Sequence, residues 1–134
     1  MYLLDTMTLD WLAIGSARLG TQARTIIEAA DRETLHVSTI SFWEIGLLLR
    51  RGRLRLDPSM TLPKFRQAVL DRGITEDPLS GPIVLAAETL HDFHKDPGDC
   101  YIAATAIALG APLITSDRKI LAWPGTLTWL DAEV

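Results

Sequence analysis

An α/β domain with a central, mostly parallel sheet flanked by helices is the fold this sequence predicts. Three observations predict it. Short apolar runs at 2–4 and 113–115 have the length and composition of buried parallel strands, and 35–38 is a further short strand candidate. Longer amphipathic or wholly apolar segments of helical length separate these runs. Strands and helices thus alternate from end to end, the pattern of a sheet joined by helical crossovers.

Each element has its own signal. Tyr2-Leu3-Leu4 is a short apolar run closed by Asp5. Thr6–Ile14 reads as a short helix broken at Gly15-Ser16. From Thr21, the residues Ala23, Ile26, Ile27 and Ala30 recur at i, i+3, i+4 and i+7, the stripe of an amphipathic helix. Leu35–Ser38 is a second strand. Ile40–Leu49 is an apolar helix that stops near Arg51-Gly52. Arg53-Leu54-Arg55-Leu56 alternates, but Asp57-Pro58 closes it, so it reads as an extended arm. Leu62–Asp71 is a helix ending at Gly73. Ile74–Leu79 is a weak edge strand, because Pro78 has no N–H to give a ladder. Pro82–Leu90 is an apolar helix. Asp96–Leu109 is the clearest helix: Asp96 is its N-cap, Pro97 its first residue and Gly110 its stop. Leu113-Ile114-Thr115 is a strand ending at Ser116-Asp117, and Thr126–Leu130 is the last strand. No repeat, linker or low-complexity tract divides the chain, so residues 1–134 are expected to form a single domain.

Composition narrows the function classes. Hydrophobic residues make up 48% of the 134, too many for an intrinsically disordered chain. Cys100 is the only cysteine, which excludes a disulfide scaffold. No apolar run approaches the roughly 20 residues that span a bilayer, and the opening residues lack the pattern of a secretory leader. A soluble, cytoplasmic protein is expected. The net charge of −4 argues against a general nucleic-acid coat protein. The charge is nevertheless uneven. Arg50, Arg51, Arg53, Arg55, Lys64, Arg66 and Arg72 against Asp57 and Asp71 make residues 50–72 a +5 segment, leaving −9 for the rest. Such a segment either touches phosphate locally or is simply solvated.

Four carboxylates stand out by position. Asp5 and Asp117 each follow an apolar strand, and ligands of open α/β sheets bind outside the carboxyl ends of strands. Glu44 is the one charged residue between Val37 and Leu49, where an unpaired carboxylate would cost several kcal/mol. Asp99 lies in the first turn of the Asp96 helix. Each has a bland explanation. Asp5 and Asp96 suit N-caps, Asp99 suits the helix dipole, Asp117 suits a turn, and Ser41-Phe42-Trp43-Glu44 matches a capping box. Together they suggest one acidic pocket, which repels itself unless a cation sits in it. Hard divalent cations such as Mg²⁺ prefer such oxygen ligands, and a metal-activated water attacks phosphodiesters.

These residues fall into an ordered set. Leu3-Leu4-Asp5-Thr6, Ser41-Phe42-Trp43-Glu44, Arg51-Gly52-Arg53-Leu54, His94-Lys95-Asp96-Pro97-Gly98-Asp99, Ile102-Ala103-Ala104-Thr105-Ala106 and Ile114-Thr115-Ser116-Asp117 run nearly the length of the chain. In that order they resemble PIN-domain ribonucleases, in particular the VapC-like toxins of bacterial type II toxin–antitoxin pairs. The resemblance implies a single PIN-like domain and a metal-dependent endoribonuclease. It implies that Asp5, Glu44, Asp99 and Asp117 bind Mg²⁺ or Mn²⁺ and cleave single-stranded RNA, leaving 3′-hydroxyl and 5′-phosphate ends. It also implies a small antitoxin protein as partner, seated on apolar helices such as 6–14 and 40–49, and a homodimer. Thr115 matches a hydroxyl often found beside such a site. Two positions depart from the pattern: Met7 stands where many members have His, and Cys100 where many have Arg. The basic residues Arg50, Arg51, Arg53, Arg55, Arg118 and Lys119 are candidates for steering RNA toward the acidic site.

Other readings are weaker. A catalytically inert PIN-like module that binds RNA or an antitoxin is the alternative that Met7 and Cys100 favour. A haloacid-type phosphatase needs a second aspartate where Met7 stands, and a phospho-receiver domain needs paired acids and a late lysine. His91 and His94 lack partners at zinc-ligand spacing. Cys100 has no evident His partner for nucleophilic chemistry. Trp11, Trp43, Trp123 and Trp129 read as core or interface anchors rather than base-stacking platforms. No phosphate loop of the Walker or dinucleotide type is present.

Overall fold

Short apolar runs of sequence become the centre of a five-stranded parallel sheet. The computed structural model describes residues 1–90, 95–123 and 125–134. In chain order the elements are β1 (Tyr2–Leu4), α1 (Thr6–Ile14), α2 (Thr21–Ala29), a 3₁₀ turn (Arg32–Thr34), β2 (Leu35–Ser38), α3 (Thr39–Arg50), α4 (Leu62–Asp71), β3 (Thr75–Asp77), α5 (Gly81–Glu88), α6 (Pro97–Leu109), β4 (Leu113–Thr115), α7 (Arg118–Leu121) and β5 (Trp129–Asp131). The strands lie in the order β3-β2-β1-β4-β5, and every pair is parallel. From β1 the chain moves outward through β2 to β3. It then crosses back to β4 on the other side of β1 and moves outward again to β5. The order therefore reverses between β1 and β4, and a crevice opens at the carboxyl ends of those two strands.

Side-chain alternation along the strands feeds two cores. Leu4, Leu35, Val37 and Ile114 face α1 to α4, packing with Leu9, Ile27, Phe42, Ile45, Phe65 and Val69. Leu3 and Leu113 face the other way, against Ile102, Ala103, Ala106, Ile120 and Leu127. Leu3, Leu4, Leu113 and Ile114 are wholly buried, each stabilising the fold by roughly 1.5–3 kcal/mol. Short alanines on α6 let that helix lie close on its face of the sheet. Gly110 then ends it in the left-handed conformation, with φ 63°.

Most predicted elements form within a residue or two of their expected bounds. Four differ, for physical reasons. The last strand covers Trp129–Asp131 rather than 126–130, because its partner β4 offers only Leu113–Thr115 and the ladder begins at Leu113↔Trp129. The edge strand shrinks to Thr75–Asp77, stopping before Pro78. The capping box that Ser41 and Glu44 match does not form: α3 begins three residues earlier than it requires, with Ser38 as N-cap, so Ser41 is already inside the helix. Asp117 does not end in a plain turn but starts α7, its side chain accepting from the Lys119 and Ile120 N–H groups. His91 and His94 lie outside the described residues.

Candidate active site

The crevice at β1 and β4 is a cleft of about 540 Å³ lined by Asp5, Glu44, Asp96, Asp99 and Asp117. Four of these are the carboxylates singled out in the sequence. The fifth, Asp96, is the N-cap the sequence predicts and a cleft residue as well: its side chain accepts from the Gly98 N–H at 2.9 Å while the residue borders the cleft.

Local structure fixes each group. Asp5 ends β1 and caps α1, its Oδ1 accepting from the Thr8 N–H at 2.8 Å. Its Oδ2 accepts from the Thr115 hydroxyl at the end of β4, at 2.5 Å. The same Thr115 oxygen accepts from the Asp117 N–H at 3.0 Å. One threonine thus ties the two strand-end aspartates together. Glu44 lies in the second turn of α3 and accepts from the Thr6 hydroxyl at 2.6 Å. The Ser41 hydroxyl lies 3.1 Å from Thr6 Oγ1 and can donate to it, since Thr6 has given its one proton to Glu44. Glu44 is therefore held from α1, 38 positions away in sequence, and not by the local box expected from Ser41. Asp99 sits in the first turn of α6. That turn lies so close to α3 that a Cβ on Gly98 would come within 2.3 Å of Glu44 Oε2. Glycine at 98 is what lets the start of α6 close the cleft.

The electrostatics follow from this crowding. Burial pushes the Asp5 carboxyl up, against the hydrogen bonds from Thr115 and Thr8. Burial also pushes Glu44 up, with Asp96 and Asp5 adding repulsion. Asp99 rises to about 8, first through burial and then through Asp96, Glu44, Asp117 and Asp5. Carboxyls arranged so either hold protons at neutral pH or share a cation.

The donor set suits a hard divalent ion: it consists of carboxylate oxygens, with hydroxyls behind them. Among the described residues, no three His, Cys, Asp or Glu side chains are drawn together as a ready-made cation cage. The carboxylates share a cleft rather than a closed coordination sphere, which suits an ion that keeps part of its water shell.

Other expectations separate at this stage. Arg51 and Arg53 line the cleft. Arg118 does not serve it: its guanidinium forks onto Asp131 at 2.8 Å and Glu133 at 2.9 Å. Arg55 and Arg72 border a different cavity, beside Met60 and Phe65. Met7 lines the cleft, whereas Cys100 is buried with Ala87 and Ala104 between α5 and α6. Burial and the nearby Asp99, Asp96 and Glu88 push its thiol up, the wrong direction for a nucleophile. Of the tryptophans, Trp11 is a core residue as expected, but Trp43 is 55% exposed at the cleft. Sequence pattern missed that exposure, because the run around it is apolar throughout.

The pattern of the PIN domain matches residues 2–123. The chain belongs to the PIN-domain family. This PIN domain is 33% identical over 120 residues to Ribonuclease VapC22 of Mycobacterium tuberculosis, spanning 88% of each chain. The structure of FitAcB from Neisseria gonorrhoeae shares the fold with a TM-score of 0.69 over 98% of both chains, at 20% identity. A toxin–antitoxin complex from Klebsiella pneumoniae does so with a TM-score of 0.67, again over 98% of both chains at 20% identity. The predicted fold class and the VapC-like resemblance are thereby borne out.

Proposed function

We propose that this PIN domain is a divalent-metal-dependent endoribonuclease, the toxin of a toxin–antitoxin pair, acting on single-stranded RNA. One observation carries the reading: Asp5, Glu44, Asp99 and Asp117 converge on one cleft at the sheet's switch point, with Asp99 raised to about 8 by burial and its acidic neighbours. The 33% identity to a ribonuclease over most of the chain supports it. The Klebsiella neighbour, a toxin–antitoxin complex, supports an antitoxin partner. Family kinship supports a homodimer and a cytoplasmic setting.

In this reading Asp5, Glu44, Asp99 and Asp117 hold Mg²⁺ or Mn²⁺. When bound, the cation polarises a phosphodiester and lowers the pKa of a water, the two things hydrolysis of that bond needs. The chain's own residues do the rest. Thr6 orients Glu44, and Thr115 orients Asp5 while its oxygen takes the Asp117 N–H. Both hydroxyls spend their proton on a carboxylate and so favour its charged form. Arg51 and Arg53 offer planar donors to phosphate beside an otherwise repulsive floor.

The test is cleavage of a mixed single-stranded RNA by antitoxin-free protein with Mg²⁺ or Mn²⁺. EDTA and Asp5→Asn serve as controls. Cuts that need the metal and vanish in the variant are expected. A folded protein that binds RNA but cuts nothing would overturn the nuclease reading in favour of an inert binding module.

A further inference from the structure

Trp43 has no role in the reading above, yet it stands in the open beside Glu44 on α3. With Met7, Leu47 and Leu48 it forms the apolar wall of the acidic cleft. Trp43 and Leu47 are four residues apart, as are Leu47 and Arg51, so the three share one ridge of the helix. Glu44 and Arg51 are seven apart and lie on nearly the same face, separated by roughly 10 Å along the axis. The wall thus carries a carboxylate, then aromatic and aliphatic surface, then guanidinium groups, since Arg51 and the exposed Arg53 border the same cleft.

A ligand complementary to that order brings a phosphate to the acidic end with its cation. It brings a flat apolar ring next, and a second anion at the far end. Single-stranded nucleic acid has this alternation, and its bases are open to stacking. A duplex buries the same rings between its strands. An apolar protein segment fits Trp43, Leu47 and Leu48 but leaves the two arginines without an anion.

We propose that Trp43 is the stacking platform for an unpaired nucleobase next to the scissile phosphate, and that Arg51 and Arg53 hold the backbone phosphate beyond it. The position of the scissile phosphate rests on the nuclease reading above. The platform sets two properties of the substrate: it must be single-stranded at the cut, and one flanking position must carry a base. Any base offers a stackable face, so the site ranks sequences by stacking strength rather than by hydrogen-bond code.

The test compares wild type, Trp43→Ala and Trp43→Phe on a fluorescent single-stranded RNA oligomer. It also uses the same oligomer annealed to its complement and a version with one abasic nucleotide beside the mapped cut. Binding is read by anisotropy in a Glu44→Gln background, so that the RNA persists, and cleavage by steady-state kinetics in the Glu44 protein. Because Trp43 is exposed, circular dichroism of the variants is expected to match wild type. Trp43→Ala is expected to weaken single-strand binding by about 5- to 150-fold. The kinetic loss falls on KM rather than kcat, and Trp43→Phe restores most of it. The abasic oligomer no longer distinguishes wild type from Trp43→Ala, and the duplex never does. Unchanged binding by Trp43→Ala, or an equal loss on duplex and single strand, would overturn the proposal. So would a variant whose only change is in sedimentation, which assigns the ring to a protein contact. Failure of the nuclease reading looks different: wild type cuts nothing, while the Trp43→Ala binding loss remains.

Discussion

Carboxylates occupy two regions of this molecule under opposite conditions. Around the rim of the sheet they meet bases. Glu76 takes a bidentate contact from Arg66, at 3.0 and 3.2 Å to the same Nε. Asp131 takes Arg118 at 2.8 Å, and Asp77 takes His36 Nδ1 at 2.6 Å. Arg66 and Arg118 hold Glu76 and Asp131 below the usual carboxylate range. In the cleft, Asp5 and Glu44 are held by hydroxyls and backbone N–H groups, and Asp5, Glu44 and Asp99 are pushed the other way. The same residue types at the same sheet therefore do different work. Rim carboxylates fasten edge strands, while cleft carboxylates are crowded against burial and one another.

Removing a cleft carboxylate gives the largest expected effect. Asp99→Asn should lower metal-dependent RNA cleavage by at least about 100-fold. In EDTA the same variant should melt at a higher temperature than wild type, because Asp99 must take up a proton to fold at neutral pH and asparagine need not. A lower melting temperature in EDTA would erase the contrast between the two regions.

Adding the cation comes next. A ligand that binds only the folded state stabilises it by about 2.7 kcal/mol at 100 times its Kd. Mg²⁺ or Mn²⁺ should raise the melting temperature of wild type by several degrees. The shift should shrink in Asp5→Asn, Glu44→Gln, Asp99→Asn and Asp117→Asn. It should persist in Glu76→Gln, and calorimetry on the set checks both halves.

The pH dependence separates the regions by sign. In EDTA, folded Asp99 keeps its proton to about 8, whereas an ordinary aspartate loses it near 3.8. Between those values the unfolded state binds fewer protons, so the cleft's contribution to stability falls as pH rises. Glu76 and Asp131 are lowered in the folded chain. Their contribution is complete above the ordinary carboxylate range and disappears as pH falls through their folded values. Denaturant midpoints taken across pH should fall toward alkaline pH without metal, and saturating Mg²⁺ should flatten that slope. An alkaline slope that Asp99→Asn leaves untouched would assign it elsewhere.

The smallest effect belongs to the rim itself. Glu76→Gln loses an ion pair whose arginine stays about half exposed to water, and should cost about 1 kcal/mol, read from chemical denaturation at neutral pH, with RNA cleavage unaltered.

Much of the fold is written locally. Leu3-Leu4 and Leu113-Ile114 announce buried strands, and Asp96-Pro97 with Gly110 brackets α6 because caps and stops act over a few residues. The gathering of Asp5, Glu44, Asp99 and Asp117 was legible from their places at strand ends and helix starts, and sharpened by the ordered motifs. What escaped depends on partners remote in sequence. Nothing near Glu44 reveals that Thr6 holds it, and Ser38, Thr39 and Ser41 offer three hydroxyls from which local pattern selects the wrong cap. The exposure of Trp43 depends on which side of α3 the sheet covers, and an all-apolar stretch conceals that choice. The loss of Arg118 to Asp131 and Glu133 depends on where β5 docks.

The threonine at the end of β4 has a consequence for synthesis. It donates to Asp5 from 110 positions further along the chain. A ribosome that has released β1, β2 and most of the helices has therefore made a chain whose Asp5 has its local cap at Thr8 but not its partner on β4. Domains emerge and fold from the N-terminus at about 5–20 residues per second, so the cleft cannot come together until β4 has followed β1 out of the ribosome. Until the fourth strand has been made, a growing chain carries the floor of the cleft but not the hydroxyl that joins its two strand-end aspartates.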